Sequence, residues 1–350
     1  MHFKIAQHII GSDTAPVFII AEMSGNHNQS LEKALEIVDA AAEAGAQAIK
    51  LQTYTADTMT LDIDDAEFQI TDEKSPWKGQ SLFNLYQQAY TPWEWHEPIM
   101  ERAKKLGLVC FSSPFDKTAV DFLESLNVPA YKIASFEIID LPLIRYIAKQ
   151  GKPIILSTGM ATLAEIDDAV RTIRAIGKND IALLKCTSAY PAPMEEMNLR
   201  TIPHLAKAFR VPVGLSDHTL SVATSVAAVA LGARIIEKHI TLTREYPGPD
   251  SVFSLEPHEF KKMVEVVRET EKALGRVCYE MSECEKTSRV FRRSLYVTKD
   301  IGAGEEFSEE NVRSIRPGYG LPPKYLDFVL GRKAKRNIKK GTPLNWDLII

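Results

Sequence analysis

Val17–Tyr54 reads VFIIAEMSGNHNQSLEKALEIVDAAAEAGAQAIKLQTY and contains a complete strand–helix–strand unit. An apolar, β-rich run at Val17–Met23 predicts a buried strand, and the amphipathic segment Leu31–Ala44 predicts a helix. A second apolar run at Ala48–Tyr54 predicts another strand. Two strands joined through a helix are typical of a parallel sheet.

The same alternation continues through most of the chain. Strands are predicted at Val17–Met23, Ala48–Tyr54, Leu108–Ser113, Ala130–Ser135, Pro153–Thr158, Ile181–Ser188, Pro212–Asp217 and Arg234–Thr241. Helices are predicted at Leu31–Ala44, Pro92–Lys105, Lys117–Ser125, Leu141–Lys149, Leu163–Ile176, Met194–Ala208, Leu220–Ala230 and Pro257–Leu274. Eight strands with eight following helices over about 260 residues favour an α/β fold of the closed (β/α)8 type, a TIM barrel, over an open sheet.

Three segments lie outside this repeat. The first sixteen residues predict a short hairpin that closes the bottom of the barrel. The insertion at 62–90 has little periodicity and predicts a loop over the top face. The last segment is rich in short β runs and Gly/Pro turns, which predicts a second, β-rich domain. We therefore expect a barrel domain at 1–280 and a small domain at 281–350.

Composition excludes several classes of partner. The formal net charge is −4 and the lysines and arginines are spread along the chain, so no basic stripe favours nucleic acid. We find no secretory leader and no apolar run of the roughly 18 residues that a membrane span requires. The four cysteines lack CxxC spacing and are expected to be reduced. We therefore expect a cytoplasmic protein that acts on small molecules.

Polar and charged residues collect where the predicted strands end. In a TIM barrel, the C-terminal strand ends and the loops after them form the active site. The residues placed there are Glu22, Lys50, Gln52, Ser113, Lys132, Ser135, Ser188, Ser216, His218, Glu237 and His239. An active site is therefore expected at this end, with Glu22, which follows a buried strand, as a catalytic carboxylate.

Two histidines near the ends of neighbouring strands suggest a metal site. Alternate residues of a strand face the same side, so Glu237 and His239 share a face, as do Ser216 and His218. If those faces point inward, His218 and His239 are a plausible pair of divalent-metal ligands. The alternative is that each histidine is a hydrogen-bonding core residue.

Two lysines fall among apolar strand neighbours, where an unpaired ammonium group is costly. Lys50 and Lys132, with the nearby serines, would suit a phosphate or carboxylate. The alternative is an internal ion pair with Glu22, Glu137 or Glu237. Asp250, in a Gly/Pro-rich loop, could bind sugar hydroxyls or simply form a turn.

Ten motifs together resemble the sialic acid synthase family over nearly the whole chain. They are AEMSGNHN, AGAQAIKLQTY, FSSPFD, YKIAS, KPIILSTGM, LLKCTSAYP, GLSDHT, EKHIT, GPDSVFSLEP and the C-terminal RRSLYVTKDIGAGE…RPGYG…GRKAKRNIKKG. The last of these resembles the family's small antifreeze-like (SAF) domain. Within the family, EMSGNHNQS and LQTYTADTMTL resemble the pseudaminic acid synthases more than the N-acetylneuraminate enzymes.

The resemblance implies an enzyme that condenses phosphoenolpyruvate with an open-chain N-acetylated amino sugar. The implied sugar is 2,4-diacetamido-2,4,6-trideoxy-L-altrose, with pseudaminic acid and phosphate as products. N-acetylneuraminate or legionaminate synthesis from another N-acetylated amino sugar is the alternative. Two rival classes also stay open, a metal-dependent aldolase and a non-catalytic carbohydrate-binding protein.

The resemblance also implies roles for individual residues. His218 and His239 would bind a divalent metal ion, manganese or magnesium, with cobalt as a further candidate. Catalytic roles would fall to Glu22, Lys50 and Glu237. Phosphoenolpyruvate would be bound by Lys50, Ser113, Lys132, Ser135, Ser188 and Ser216. The sugar would be bound by Gln52, Tyr190, Asp250 and Arg316.

Ser188 and Arg316 carry further implications. Ser188 stands where the sialic acid enzymes have Asn, which leaves its contact with phosphoenolpyruvate open. Arg316 matches an arginine that reaches into the active site of the partner subunit, so the resemblance implies a domain-swapped homodimer. Asn26 and His27 could either cap the following helix or contact the substrate.

Overall fold

The computed structural model of the chain describes residues 2–73, 75–245 and 248–350. It divides into two units, one that ends at Gly275 and one that begins at Arg276. Within the described ranges, none of the helices combines the length and apolar character that crossing a bilayer requires.

The first unit is built around a closed parallel barrel. The N-terminal strands are β1 (Phe3–Ile5) and β2 (His8–Ile10), an antiparallel hairpin. The barrel strands are β3 (Phe18–Glu22), β4 (Ala48–Thr53), β5 (Val109–Pro114), β6 (Tyr131–Ile133), β7 (Ile154–Ser157), β8 (Ile181–Cys186), β9 (Val213–Asp217) and β10 (Ile235–His239). They follow chain order, and β10 closes the barrel against β3. The predicted TIM barrel is confirmed.

Helices surround the barrel. They are α1 (Leu31–Glu43), α2 (Ala56–Met59), α3 (Leu82–Ala89), α4 (His96–Lys105), α5 (Lys117–Ser125), α6 (Leu141–Lys149), α7 (Leu163–Arg174), α8 (Thr201–Phe209), α9 (Val222–Ala230) and α10 (Pro257–Leu274). Local sequence fixes where several of them begin. At α6, for example, the Asp140 side chain accepts the Leu143 amide at 2.9 Å, and a proline stands within the first turn.

The insertion after β4 is more ordered than its sequence suggests. The predicted loop is wrong for Leu82–Ala89, which forms α3 with Ser81 as its N-cap. Only Leu85 and Ala89 are buried in this helix, so its apolar pattern is too short to stand out. The Trp77 ring lies 5.7 Å from that of Tyr190, which follows β8, so the insertion reaches the C-terminal end of the barrel.

The barrel residues separate into two apolar layers. Alternate strand residues, such as Leu215 and Ile236, face outward and pack against the helices. The intervening ones, such as Ile20 and Ile155, fill the interior together with Phe3 of the hairpin. The interior cluster lies at the N-terminal part of the strands, where β1 and β2 close the barrel as predicted. The opposite end is therefore the one that is free to form a site.

The second unit has its own small core. Its strands are β11 (Ser294–Val297) and β12 (Val312–Ile315), and its helices are α11 (Glu283–Lys286) and α12 (Leu326–Val329). The strands are antiparallel. Leu295, Phe307 and Leu344 are among the buried apolar residues that these elements share.

Candidate active site

The C-terminal end of the barrel is lined by inward-facing polar side chains. The strands supply Glu22 from β3, Lys50 and Gln52 from β4, Ser113 from β5, Lys132 from β6, Ser216 from β9, and Glu237 and His239 from β10. His218 follows β9 directly. On β3, β4, β5, β6 and β10, these residues alternate in register with interior apolar residues of the same segment. On β9, Ser216 and His218 alternate with the outward-facing Leu215. All of them except Gln52 are buried.

Two lysines and two carboxylates form the centre of this surface. Lys50 forms an ion pair with Glu22, and its Nζ lies 3.7 Å from Glu237 Oε1. Lys132 Nζ lies 3.8 Å from the same oxygen of Glu237 and donates to the Ile133 carbonyl at 3.0 Å. The internal ion pairs that the sequence left open are therefore present, although Lys132 is only loosely paired.

The two carboxylates differ in protonation behaviour. Burial raises the pKa of Glu22, and this effect outweighs the attraction of Lys50. Burial also opposes ionisation of Glu237, but Lys132 and Lys50 together hold the pKa of Glu237 below its ordinary value. Environments that separate the pKa values of neighbouring carboxylates are a feature of acid–base sites. Of the two carboxylates, Glu22 is therefore the one whose pKa is shifted toward the neutral form.

The pKa values of Lys50 and Lys132 are shifted in opposite directions. Burial lowers the pKa of Lys132, which lacks a close carboxylate. For Lys50, the lowering by burial is overcome by Glu22 and Glu237, and its pKa is raised. Ser113 and Ser216 extend the cluster, because Lys50 Nζ donates to Ser113 Oγ at 3.3 Å and Ser216 Oγ donates to Glu237 at 3.3 Å. The cluster can therefore present two ammonium groups and hydroxyls to an anion.

A polar network joins Glu22 to the loop after the last strand. Gln52 Nε2 donates to Glu22 Oε1 at 3.2 Å and to Ser24 Oγ at 3.0 Å. Ser24 Oγ in turn donates to the buried Asp250 carboxylate. Sequence reasoning missed Ser24, although its position in the polar run after β3 was a signal. Burial raises the pKa of Asp250.

His218 and His239 lie side by side, with ring centroids 5.4 Å apart. His218 Nδ1 is 3.0 Å from the Thr187 carbonyl, which assigns the proton to Nδ1 and leaves the Nε2 lone pair free. His239 Nδ1 is buried without a hydrogen-bond partner. Burial and the neighbouring His218 place the pKa of His239 well below its ordinary value, so this ring is neutral.

His239 fits a divalent-metal ligand because ligand imidazoles are neutral, and His218 Nδ1 faces a carbonyl as the second nitrogen of a ligand histidine usually does. Burial opposes protonation of His218, but Cys186 and the Thr187 carbonyl raise its pKa, so metal binding would displace a proton from this ring. Across 2–73, 75–245 and 248–350, no group of three or more His, Cys, Asp or Glu side chains is arranged to hold such an ion. The two histidines could therefore supply only part of the coordination, and water or substrate oxygens would supply the rest.

An aromatic wall stands beside the histidines. The Tyr190 ring lies 4.5 Å from the His218 ring, and the Phe253 ring lies 4.9 Å from the His239 ring. Tyr190 and Phe253 are themselves 4.9 Å apart. Trp77 packs on Tyr190 and its indole N–H donates to the Pro249 carbonyl at 2.6 Å. Tyr190 was predicted for the sugar site, whereas Phe253 was missed because aromatic residues in loops carry no distinctive signal.

The other predicted residues, Ser135, Ser188 and Arg316, fall in two places. Ser135 and Ser188 lie together, with their hydroxyl oxygens 2.8 Å apart. Cys186 Sγ lies 3.7 Å from Ser188 Oγ and 3.9 Å from His218 Nδ1, so this thiol belongs to the site surface. Arg316 belongs to the second unit, where it follows β12 and is exposed.

Asn26 and His27 are occupied by contacts with their own protein. Asn26 Nδ2 donates to the Ile240 carbonyl and to Ser254 Oγ, both at 2.8 Å. His27 Nε2 lies 3.2 Å from Thr91 Oγ1. Both side chains are buried, which favours a role in holding the loop after β3 over direct substrate contact.

Two domain families match the chain. Residues 37–279 match the NeuB family, and residues 292–350 match the SAF domain. The first match covers the barrel unit from within α1 onward, and the second covers most of the small β-rich unit.

Relatives along the full length give a finer comparison. The chain is 50% identical to a pseudaminic acid synthase of Campylobacter jejuni, over 94% of this chain and 95% of that protein. It is 46% identical to a pseudaminic acid synthase of Helicobacter pylori, over 95% of this chain and 97% of that protein. The chain is also 33% identical in sequence to the N-acetylneuraminic acid (sialic acid) synthetase from Leptospira borgpetersenii, whose crystal structure is known in complex with citrate. It superposes with a TM-score of 0.73 over 82% of this chain and 95% of that one.

Proposed function

The chain belongs to the NeuB family, and from this premise we propose that it condenses phosphoenolpyruvate with 2,4-diacetamido-2,4,6-trideoxy-L-altrose and water, giving pseudaminic acid and phosphate. The observation that carries the proposal is the 50% identity to a pseudaminic acid synthase over 94% of the chain. Identity to the sialic acid synthetase of known structure is lower, at 33%. The protein is accordingly a carbon–carbon bond-forming enzyme.

Phosphoenolpyruvate would occupy the lysine-lined part of the site. Lys50 and Lys132 would face its phosphate and carboxylate groups, and Ser113, Ser135, Ser188 and Ser216 would donate hydrogen bonds to them. The loose pairing of Lys132, 3.8 Å from the nearest Glu237 oxygen, supports this role because little is lost when an anion replaces that contact. Glu237 would remain ionised and orient both ammonium groups.

The sugar would bind beside Glu22. Gln52, Asp250 and Tyr190 would contact its hydroxyl and acetamido groups, and the contacts among Glu22, Gln52 and Ser24 support a preformed polar surface there. Because burial raises the pKa of Glu22, its carboxyl group can give a proton to the sugar aldehyde oxygen or take one from water.

The reaction forms one carbon–carbon bond and releases phosphate. A bond forms between C3 of phosphoenolpyruvate and the aldehyde carbon, and the aldehyde oxygen takes up a proton and becomes a hydroxyl group. Water adds at C2 and loses one proton, which balances the proton taken up by the aldehyde oxygen. The new C2 hydroxyl group then loses its remaining proton to phosphate as the C2–O bond to phosphate breaks, which leaves a ketone at C2. Lys50 and Lys132 would stabilise the negative charge of the departing phosphate throughout.

His218 and His239 would hold a divalent ion, manganese, magnesium or cobalt. When bound, such an ion supplies Lewis-acid polarisation of the aldehyde oxygen. The free Nε2 of His218 and the unpartnered Nδ1 of His239 support this assignment. Removal of the ion with a chelator should abolish turnover, and added Mn²⁺ should restore it. Full activity of thoroughly stripped protein would contradict the metal role.

The proposed function also includes a homodimeric assembly. The family resemblance supports a domain-swapped homodimer in which Arg316 of the SAF domain contacts the sugar in the partner subunit's site. The exposed guanidinium of Arg316 is available for such a contact.

The decisive experiment combines substrate choice with product identity. The protein, with Mn²⁺ and phosphoenolpyruvate, is offered the altrose derivative and N-acetylmannosamine in parallel, and phosphate release and product NMR are followed. We expect phosphate release and pseudaminic acid with the altrose derivative. Turnover of N-acetylmannosamine alone would indicate a sialic acid synthase instead, and a condensation without phosphate release would indicate an aldolase.

A further inference from the structure

A second charged pair lies directly behind the two histidines and takes no part in the proposed chemistry. Asp217 and Lys238 form an ion pair of 2.8 Å, and both side chains are fully buried. They are register partners on β9 and β10. Each precedes a histidine, since Asp217 is followed by His218 and Lys238 by His239.

The pair faces away from the barrel interior. Side chains alternate along a strand, so inward-facing Ser216 and Glu237 put Asp217 and Lys238 on the helix side. The preceding outward positions on the same strands, Leu215 and Ile236, belong to the apolar outer layer. An apolar pair would therefore suit this location, and replacing a buried ion pair with apolar residues is often neutral or stabilising. Packing alone does not account for two buried charges here.

The hydrogen bonds of the pair converge on the segment after His218. Asp217 accepts the Thr219 amide at 2.9 Å. Lys238 Nζ donates to the Thr219 carbonyl. The residues on both sides of His218 are thus tied to β10, the strand that carries His239.

The first turns of α9 complete the network. Asp217 Oδ2 accepts the hydroxyl groups of Thr224 at 2.6 Å and Ser225 at 3.1 Å. These contacts join the start of α9 to the strand that precedes His218. His218 itself is held through its ring as well, by Thr187.

We propose that the Asp217–Lys238 pair is a positioning device that fixes the spacing and orientation of His218 and His239, so that the two imidazoles can bind one divalent ion. The proposal rests on the metal role in the proposed function. Neither residue touches the reacting atoms, and both act through the backbone that carries the histidines. Groups that orient metal ligands typically change metal affinity by about 10- to 100-fold when they are removed.

The test uses a double variant, since removal of one charge alone leaves the other buried and unpaired. Asp217→Leu with Lys238→Met keeps the side-chain volumes close to the original. The hydroxyl groups that lose Asp217 have other partners, because Thr224 Oγ1 also lies 3.0 Å from the Ser221 carbonyl and Ser225 Oγ lies 3.4 Å from Met263 Sδ. Asp39→Asn with Arg102→Met removes an exposed ion pair and is the control.

Two readouts are compared for the full-length proteins. Isothermal titration with Mn²⁺, without substrates, should show a Kd about 10- to 100-fold weaker in the double variant and unchanged in the control. Crystal structures without metal should show the His218–His239 ring separation changed by about 1 Å in the double variant. Unchanged ring geometry with a Kd within twofold of wild type would overturn the proposal. If wild-type protein binds no Mn²⁺, the metal role fails, and the ring geometry alone decides whether the pair positions the histidines.

Discussion

Glu22 and Lys50 are register partners on β3 and β4, and their side chains form a buried ion pair inside the barrel. At the C-terminal end of the barrel, the Glu22 carboxylate, whose pKa is raised, therefore lies against the Lys50 ammonium group. The proton-exchanging group and the anion-binding group of the proposed reaction are therefore neighbours on adjacent strands.

Glu22→Gln should slow turnover while the fold is retained. Glutamine keeps the shape and can still accept from Gln52, but it cannot exchange a proton, so kcat should fall by about 10²- to 10⁴-fold. Phosphate release at saturating substrates measures the loss, and circular dichroism checks the fold.

Glu271→Gln is the matched control for this change. Glu271 also carries an ion pair, with Arg268 at 2.8 Å, and accepts the Val17 amide, but at the opposite end of β3. Its kcat should stay near that of wild type. Near-normal turnover of Glu22→Gln would rule out the proton-exchange role.

Lys132→Met should weaken phosphoenolpyruvate binding selectively. The lysine is buried and loosely paired, so its loss removes a charge that would face the anion and leaves no close ion pair broken. We expect the KM for phosphoenolpyruvate to rise by at least about tenfold, which corresponds to about 1.4 kcal/mol, with a much smaller change for the sugar. Steady-state kinetics with each substrate varied in turn measures both constants.

Lys185→Met provides the comparison. Lys185 lies on β8 among the outward-facing positions, and its ammonium donates to the Cys186 carbonyl at 2.6 Å. Both KM values should be unchanged in this variant. Equal effects of the two substitutions on the KM for phosphoenolpyruvate would show that Lys132 does not contact it.

The fold was predictable because its signals are local. Apolar runs gave the eight strands, and the bounds of α6 and α10 match the prediction because a proline and an N-terminal acidic residue mark where each begins. Strand alternation also grouped Glu237 with His239 on one face. These inferences need only neighbouring residues.

The missed features depend on contacts between distant segments. Ser24 donates to Asp250, 226 residues away. The polar run after β3 marks Ser24 as a candidate, but no residue near it identifies Asp250 as its partner. Phe253 similarly meets His239 only after the barrel closes. The outward-facing Asp217–Lys238 pair was not predicted. Each of its residues stands next to a predicted metal ligand, so its charge was easily attributed to the site inside the barrel.

Two buried histidines should make stability depend on pH. Burial lowers the pKa of His27 and of His96 to about 4, below the ordinary 6.5 of the unfolded chain. The unfolded state therefore binds more protons between pH 6.5 and 4, so stability is complete above 6.5 and is lost as the pH falls through this window. At pH 5 the loss is about 2 kcal/mol for each histidine.

His96→Gln tests this effect. Its pH-dependent loss of unfolding free energy between pH 7 and 5, measured by urea titration, should be smaller than that of wild type by about 2 kcal/mol. Glutamine can keep the bond that joins His96 Nε2 to Thr53 Oγ1 at 2.8 Å. His204→Gln changes an exposed histidine and should behave as wild type. An identical pH dependence in all three proteins would refute the assignment.

Mixing two inactive variants should restore activity if Arg316 acts in the partner subunit's site. Glu22→Gln should inactivate the barrel of its own chain, and Arg316→Ala should impair the site of the other chain. In a domain-swapped heterodimer, one site then receives both defects and the other receives neither. Random reassociation of equal amounts gives half heterodimers, so about one quarter of wild-type activity should return.

The mixing experiment distinguishes a dimer in which Arg316 acts in the partner subunit's site from one in which it acts in the site of its own chain. If Arg316 served the site of its own chain, every site in the mixed population would carry one defect, and no activity would return. Subunits are exchanged by mild denaturation and refolding, and phosphate release is measured before and after. Wild-type protein taken through the same cycle sets the recoverable activity, and each variant refolded alone sets the background. Recovery to about one quarter therefore requires that Glu22 and Arg316 of one complete site come from different chains.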